Sequence, residues 1–177
     1  MNKNPSFFEL IRDIGPRIFY GLAILFSIIS IFIWLGIYGP HNNHVKIVGF
    51  DSTVLWHAHE MIYGYALAVV AGFLLVVEKP GQYYDKSSSN FFLFHVASWV
   101  IARFAAFSNN DFFKIIFFFN ILFCFLLFYS VTKKILKNKK LYQVYVLPYI
   151  LFFFLLIEIC FYLSVLKIIH LDSILLI

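Results

Sequence analysis

Apolar stretches of about 20 residues recur along this chain, and they limit its fold more than any other feature of the sequence. An α-helix needs a stretch of that length to cross the hydrocarbon core of a bilayer. Hydrophobic residues make up 62% of the 177 residues and charged residues only 13%, whereas a soluble domain is about one quarter charged. We therefore predict an all-α, polytopic transmembrane helical bundle in a lipid bilayer. The same composition excludes a soluble enzyme and a nucleic-acid-binding module.

Five stretches are predicted as membrane spans, in one helical domain over residues 18–177 that follows an N-terminal segment, 1–17. The predicted spans are 18–38, 55–77, 91–107, 112–131 and 144–166. The third is the weakest because it is short and contains His95 and Arg103, which neighbouring helices would have to bury. Apolar character continues beyond the fifth span to the last residue. We therefore expect either a truncated reading frame or a subunit that needs a partner chain.

The distribution of Lys and Arg predicts the orientation of the chain. Ten of these 14 residues lie in the N-terminal segment, after the second predicted span or after the fourth. Short cytoplasmic loops hold the excess of Lys and Arg, so we predict a cytoplasmic N-terminus. The net charge of +5 then reflects topology, and the run from Lys133 to Lys140 is a cytoplasmic anchor whose strongest further role is to bind anionic lipids. The loop from Gly39 to Val54 is predicted to face outward.

The densest polar group in an apolar setting is Trp56-His57-Ala58-His59-Glu60-Met61, at the outer end of the second predicted span. At about 100° per residue of α-helix, His57 and His59 point to nearly opposite sides, so one helix face cannot present both to one metal. His57 shares its side with a small-xxx-small pattern from Gly64 to Gly72, which lets a neighbouring helix approach closely. We therefore predict that His57 faces the bundle interior.

This group has the chemistry of a cofactor site. A neutral imidazole in a dry bundle suits axial ligation of haem iron or binding of copper, and Met61 could add a thioether ligand. Glu60 could fix the tautomer of a ligating His or take part in proton transfer. The alternative is that His57 and His59 cap the helix at the interface and hydrogen-bond water or headgroups. Two His, a Glu and a Trp so close together give the functional interpretation equal weight, because intramembrane ionisable groups are functional by default.

Arg103 and Glu158 are predicted to lie in the outer half of the membrane, at the level of this group. We expect Arg103 to pair with Glu60 or Glu158, because a lone charge at that depth is expensive. It could instead hold a haem propionate. The alternative is that Arg103 snorkels to the outer interface with Trp99 stacked beside it. His95 is a weak candidate for a second ligand.

Other metal and catalytic signatures are absent from the sequence. His59-Glu60-Met61-Ile62-Tyr63 lacks the second His of an HExxH zinc protease, and no PCxxC, phosphate-binding Gly-rich loop or GxSxG occurs. Cys124 and Cys160 lie in apolar stretches without a spacing typical of disulfides or zinc sites. His41 and His44 lie in a predicted loop, where solvated His residues are more common than copper ligands.

Leu55 to Tyr65 reads LWHAHEMIYGY, and Ala71 to Leu75 reads AGFLL. These segments resemble the NnrS family of bacterial membrane proteins, and the similarity extends to Arg17–Trp34 and Trp99–Arg103. The resemblance implies a polytopic inner-membrane protein that contains haem and copper and takes part in nitric oxide metabolism, denitrification or resistance to nitrosative stress. Carried over residue by residue, it points to Trp56, His57, His59, Glu60, Gly64, Gly72 and, less directly, Arg103.

The resemblance also implies that this chain covers less than half of the family's architecture, so a partner chain could supply further spans. In the fifth predicted span, Glu158 and Tyr162 stand where the family pattern has Asn and His. Nitric oxide or a related small molecule is the implied ligand, and the sequence leaves open whether the chain turns over a substrate. One rival interpretation is a channel or transporter subunit, in which the His, Glu and Arg residues form a proton or ion relay. Another is a non-functional fragment of a longer membrane protein.

Overall fold

The computed structural model of the chain describes residues 7–38, 53–76, 86–104, 110–137 and 145–166. All regular structure within these ranges is helical, which confirms the predicted all-α class. The elements are α1 (Phe7–Tyr38), α2 (Thr53–His59), a π-helical segment (Glu60–Ala66), α3 (Leu67–Val76), α4 (Lys86–Arg103), α5 (Asn110–Lys137) and α6 (Val146–Val165).

In the described part of the chain, four helical stretches are long and apolar enough to cross a membrane. They are Arg17–Ile37, Thr53–Leu75, Phe117–Lys137 and Val146–Ser164. The second stretch consists of α2, the π-helical segment and α3, which follow one another without a break. In α4 the apolar part is shorter and runs over Phe91–Arg103. This stretch corresponds to the span that the sequence predicts to be the weakest. With four stretches long enough to cross a bilayer, the chain is a membrane protein.

Three helices extend well beyond the spans predicted for them, and one of these is α4, which begins at Lys86 and not at Phe91. α1 begins at Phe7, inside the predicted N-terminal segment, and α5 ends at Lys137 rather than at Val131. The length of an apolar run predicts only the part of a helix that lies in hydrocarbon. The helix can continue into water, because its backbone groups hydrogen-bond to one another on both sides of the membrane boundary. The span ends predicted at Val77, Phe107 and Val144 lie outside the described residues.

The chain divides into two compact units. Among the described residues, the first unit contains α1 and residues 56–76 and 86–97. The second unit contains residues 53–55 and 98–104 together with α5 and α6. In the first unit α1 contacts both the π-helical segment and α3, and in the second unit α5 packs against α6.

One stripe of α1 is buried, and its members recur at steps of three, four or seven residues, as expected for one helix face. The stripe consists of Phe19, Ala23, Phe26, Ser30 and Ile37. The remaining faces expose large apolar side chains such as Ile24, Phe32 and Leu35, which suits a helix surrounded by lipid. Ser27 is accommodated there because its hydroxyl donates to the carbonyl oxygen of Ile24 on the same helix, at 2.8 Å.

The small-residue pattern of the second span forms a close helix contact. Ala68 and Gly72 are buried, and a Cβ atom placed on Gly72 would lie 3.2 Å from the Cβ of Phe19. The same added atom would lie 3.2 Å from Cε1 of Tyr20. Because Gly72 has no side chain, α1 and α3 approach each other closely at this point.

Candidate functional site

The candidate site begins where the second span changes from α-helix to π-helix. The π-helical segment starts at Glu60, and the backbone N–H of Leu67 donates to the carbonyl oxygen of Ile62, five residues earlier. π-Helical turns are uncommon and occur frequently at functional sites. A wider turn holds more residues, so neighbouring side chains diverge less around the axis than in an α-helix. This geometry allows His59 and Glu60, adjacent in sequence, to be buried together, each with 5% of its surface exposed.

His59 is held by a carboxylate and an aromatic ring. Its Nδ1 lies 3.1 Å from Oε1 of Glu60, and its ring stacks on that of Tyr63 with centroids 4.8 Å apart. When Glu60 is ionised it only accepts hydrogen bonds, so in that state Nδ1 of His59 donates and Nε2 of the neutral ring is the basic nitrogen. A carboxylate on one ring nitrogen is the arrangement by which proteins orient a His that binds a metal through the other.

His57 has a different environment. It is half-buried, and its ring lies against that of Trp34 on α1, with centroids 4.2 Å apart. Its Nδ1 is buried and has no hydrogen-bond partner among the described residues. The same holds for Nε1 of the neighbouring Trp56, whose side chain is 1% exposed. Two polar ring nitrogens beside α1 are therefore left for a group that those residues do not supply.

His57 packs on Trp34 of α1, which agrees with the prediction that it faces the interior, but the helical projection did not predict that His59 would be buried as well. His59 is the more buried of the two, and Glu60 and Tyr63 are buried with it. The prediction used 100° per residue throughout, whereas the helix changes its hydrogen-bond pattern at Glu60. Nothing in the amino-acid sequence marks this change. Met61, the proposed soft ligand, lies in the π-helical segment and is half-buried.

His95, on α4, is fully buried in the first unit. Its Nδ1 donates to the carbonyl oxygen of Phe91, one turn earlier, at 2.8 Å. Because a carbonyl oxygen cannot donate, the proton is again on Nδ1, and in the neutral ring Nε2 is the basic nitrogen. The tautomer of His95 therefore suits coordination through Nε2, and His95 keeps its place as a second candidate ligand.

Arg103 belongs to the second unit and is 9% exposed. One of its terminal nitrogens donates to the side-chain oxygen of Asn120, and its Nε donates to the carbonyl oxygen of Trp99 at 3.4 Å. The guanidinium carbon lies 5.4 Å from the centroid of the Trp99 ring. The expected stacking on Trp99 is therefore present. Snorkelling is wrong, since the head group is buried against protein side chains.

Sequence reasoning missed Asn120, which is 1% exposed and carries the hydrogen bond to Arg103. Its Nδ2 has no hydrogen-bond partner in the described ranges. One turn further along α5, Cys124 is buried and within Coulombic range of both Arg103 and Glu158. Glu158 is itself fully buried. The signal that could have found this group is Asn120 itself, a lone amide in an otherwise apolar span.

Within the described residues, no group of three or more His, Cys, Asp and Glu side chains is arranged to hold a metal ion. A copper site built from three such ligands is therefore not formed by this part of the chain. Axial ligation of haem iron requires one or two side chains, and a buried His oriented by Glu60 fits that requirement. His41 and His44 lie outside the described residues.

Comparison with known proteins identifies the family. The sequence profile described as NnrS protein matches residues 11–176, nearly the whole chain. No curated protein matches the chain, and no solved structure does. The profile includes the segment with His57, His59 and Glu60 as well as the second unit with Arg103. The chain therefore belongs to the NnrS family.

Proposed function

We propose that this protein binds haem in the inner membrane of a bacterium and takes part in nitric oxide metabolism or in resistance to nitrosative stress. Membership of the NnrS family supports the nitric oxide role, and the helices long enough to span a membrane support the location. The observation that carries the cofactor assignment is the contact between His59 and Glu60, because it joins a buried imidazole to a carboxylate at the ligand-orienting nitrogen.

In this proposal His59 would hold haem through Nε2, and Glu60 is a positioning residue. Glu60 holds the proton on Nδ1 of His59 and fixes the plane of the ring, while Tyr63 packs against one ring face. When bound, haem supplies an iron that binds small diatomic molecules. The protein contributes an apolar surrounding that excludes water, and His57 and Trp56 contribute buried ring nitrogens nearby in sequence.

Copper is a second proposed cofactor, supported only by the family. His57, His59 and Met61 are the candidate donors in this segment, and soft or imidazole ligands suit copper. Among the described residues, no three His, Cys, Asp or Glu side chains are placed to hold a metal ion. We therefore propose that a copper ion here takes Met61 as a ligand or a further donor from beyond the described residues, in this chain or in a partner chain. Arg103 keeps its proposed role toward a cofactor carboxylate.

The test is purification of the full chain in detergent, followed by metal analysis, an optical spectrum and an assay of nitric oxide tolerance in cells. The proposal predicts about one haem per chain and better growth under a nitric oxide donor for cells that express it. A chain that stays without haem when haem is supplied, and that gives no tolerance, would contradict the proposal.

One observation favours a second candidate, a proton- or ion-translocating subunit. Glu158 is fully buried in a helix long enough to span the membrane, and Arg103 and Asn120 lie in the same unit. Ionisable groups in such positions often form proton relays. Proton uptake into vesicles containing the purified chain separates the two candidates. Uptake that disappears in Glu158→Gln, without bound haem in either protein, supports translocation.

A further inference from the structure

We propose that the chain binds the headgroup of an anionic phospholipid at the end of the α5–α6 pair where α5 ends and α6 begins. We call this region the basic end and define it by Tyr129, Lys133, Lys134, Lys137 and Tyr145. The proposal does not depend on haem or nitric oxide, because it concerns the positive charge of Lys residues at a membrane boundary and not the His59 site.

The basic end lies in a part of the sequence that contains no acidic residue. Lys133, Lys134 and Lys137 lie in the last two turns of α5, and no Asp or Glu occurs anywhere from Phe112 to Ile157. Lys133 and Lys137 are exposed and, being four residues apart, lie on one face of the helix. Each ammonium group is a compact point charge that suits phosphate oxygens.

The packing of α5 on α6 shows what lies beside these Lys residues. The rings of Phe117 and Phe161 are 5.8 Å apart, and those of Phe128 and Phe152 are 5.7 Å apart. Residue number rises along α5 as it falls along α6, so the two helices are antiparallel. Ile135 lies seven residues, or about two turns, after Phe128 on α5. Tyr145 lies the same distance before Phe152 at the start of α6. Tyr145 therefore lies level with the Lys residues.

Exposed Tyr side chains occur at the same end of the helix pair as the Lys residues. The ring centroid of Tyr129 lies 5.6 Å from Nζ of Lys133, and Tyr129, Tyr145 and Tyr149 are 44%, 42% and 68% exposed. Tyr is enriched where membrane meets water, because its ring sits among acyl chains while its hydroxyl reaches the headgroups. The apolar spans end at Lys137 and begin at Val146, which puts the basic end at such a boundary.

These features together match an anionic phospholipid. The apolar faces of α5 and α6 can accommodate acyl chains, the Tyr hydroxyls can donate to ester or phosphate oxygens, and the Lys residues attract the phosphate. Basic clusters directly beside a membrane span bind anionic headgroups in this way. The first turn of α6 contains no acidic residue, so the positive end of its dipole is not opposed.

The experiment titrates phosphatidylglycerol or phosphatidylcholine into the full chain in detergent and follows bound lipid by native mass spectrometry and by the thermal midpoint. Each Lys near an anionic surface contributes about fivefold in affinity. We expect the triple variant Lys133→Gln, Lys134→Gln, Lys137→Gln to bind phosphatidylglycerol about 100-fold more weakly, with little change for phosphatidylcholine. The triple Lys→Arg variant should keep most of the affinity because it keeps the charge.

Lys114→Gln is the matched control, because Lys114 is an exposed Lys near the other end of the same helix. It should leave phosphatidylglycerol binding unchanged within about twofold. Raising the salt concentration to about 0.5 M should weaken binding of phosphatidylglycerol to the unmodified chain at least about tenfold. This measurement does not depend on whether the variants fold. Equal binding of both lipids, or equal loss in Lys114→Gln and the triple variant, would overturn the proposal.

Discussion

His59 and Glu60 are adjacent in sequence and hydrogen-bonded through their side chains, with 3.1 Å between Nδ1 and Oε1, and both are buried. The pair lies where α2 gives way to the π-helical segment, in which adjacent side chains diverge less than the roughly 100° of a regular α-helix. The proposed ligand role of His59 depends on this pair, because the carboxylate determines which ring nitrogen of His59 can bind a metal.

The first prediction concerns the carboxylate. Glu60→Leu removes the acceptor for Nδ1 of His59, so the ring loses its fixed tautomer and orientation. Loss of such a partner typically weakens metal binding about 10- to 100-fold, and we expect a loss of that size in haem affinity. The measurement is titration of haem into the purified chain, followed by the Soret absorbance.

Glu158→Leu is the control for this experiment, since it removes another fully buried carboxylate but in the second unit. It should change the stability of the protein without changing haem affinity by more than about twofold. If both variants lose affinity equally, the effect of Glu60 is general destabilisation and not orientation of His59.

The second prediction concerns the close contact between α1 and α3. Gly72→Val places side-chain atoms against the Cβ of Phe19, which is fixed to the backbone of α1 and cannot rotate away. Overpacking of this kind costs about 1–3 kcal/mol, so the thermal midpoint in detergent should fall. Gly21→Ala is the control, because nothing lies within 4 Å of a Cβ added there. A drop of the same size in Gly21→Ala would show that any added side chain is harmful.

The third prediction concerns Asn120. Asn120→Leu removes the acceptor for the buried guanidinium of Arg103 and should lower the free energy of unfolding by about 2 kcal/mol, the typical size for a hydrogen bond to a charged group. Thr132→Val, on the same helix, removes a buried hydroxyl that has no partner among the described residues, so it should be neutral or slightly stabilising. Unfolding of both variants in denaturant gives the comparison. The reverse order of stability would exclude the Arg103–Asn120 contact.

The fourth prediction concerns the two buried charges of the second unit. Arg103→Leu should reduce the yield of folded protein, because it leaves Glu158 buried without the nearby positive charge. Adding Glu158→Gln should restore part of the yield, since it removes the remaining charge at nearly constant volume. Size-exclusion chromatography of the three proteins measures the folded fraction. Absence of any rescue would mean that the two charges do not compensate each other.

The sequence predicts the class of the fold well because apolar length and charge are properties of each segment alone. Of the five predicted spans, four correspond to helical stretches long enough to cross a membrane, and the weak third span corresponds to the short apolar part of α4. The contact at Gly72 was also predictable, since small residues at a spacing of four form one helix face.

The details of the site were less predictable. A helical projection cannot anticipate the π-helical segment, so it predicted the interior position of His57 but not the deeper burial of His59 beside Glu60. Reasoning from charge considered only carboxylates as partners of Arg103, and it therefore missed the hydrogen bond that Arg103 donates to the neutral amide of Asn120. The contact between Trp34 and His57 depends on how two helices pack, which no local pattern encodes.

The most direct test of the central claim compares His59→Ala with His57→Ala in the full chain, each purified in detergent, supplied with haem and measured at the Soret band. The account predicts that His59→Ala loses the band, whereas His57→Ala keeps it because its ring contacts Trp34 and not the carboxylate. Loss of the band in His57→Ala with retention in His59→Ala would contradict the assignment of the ligand.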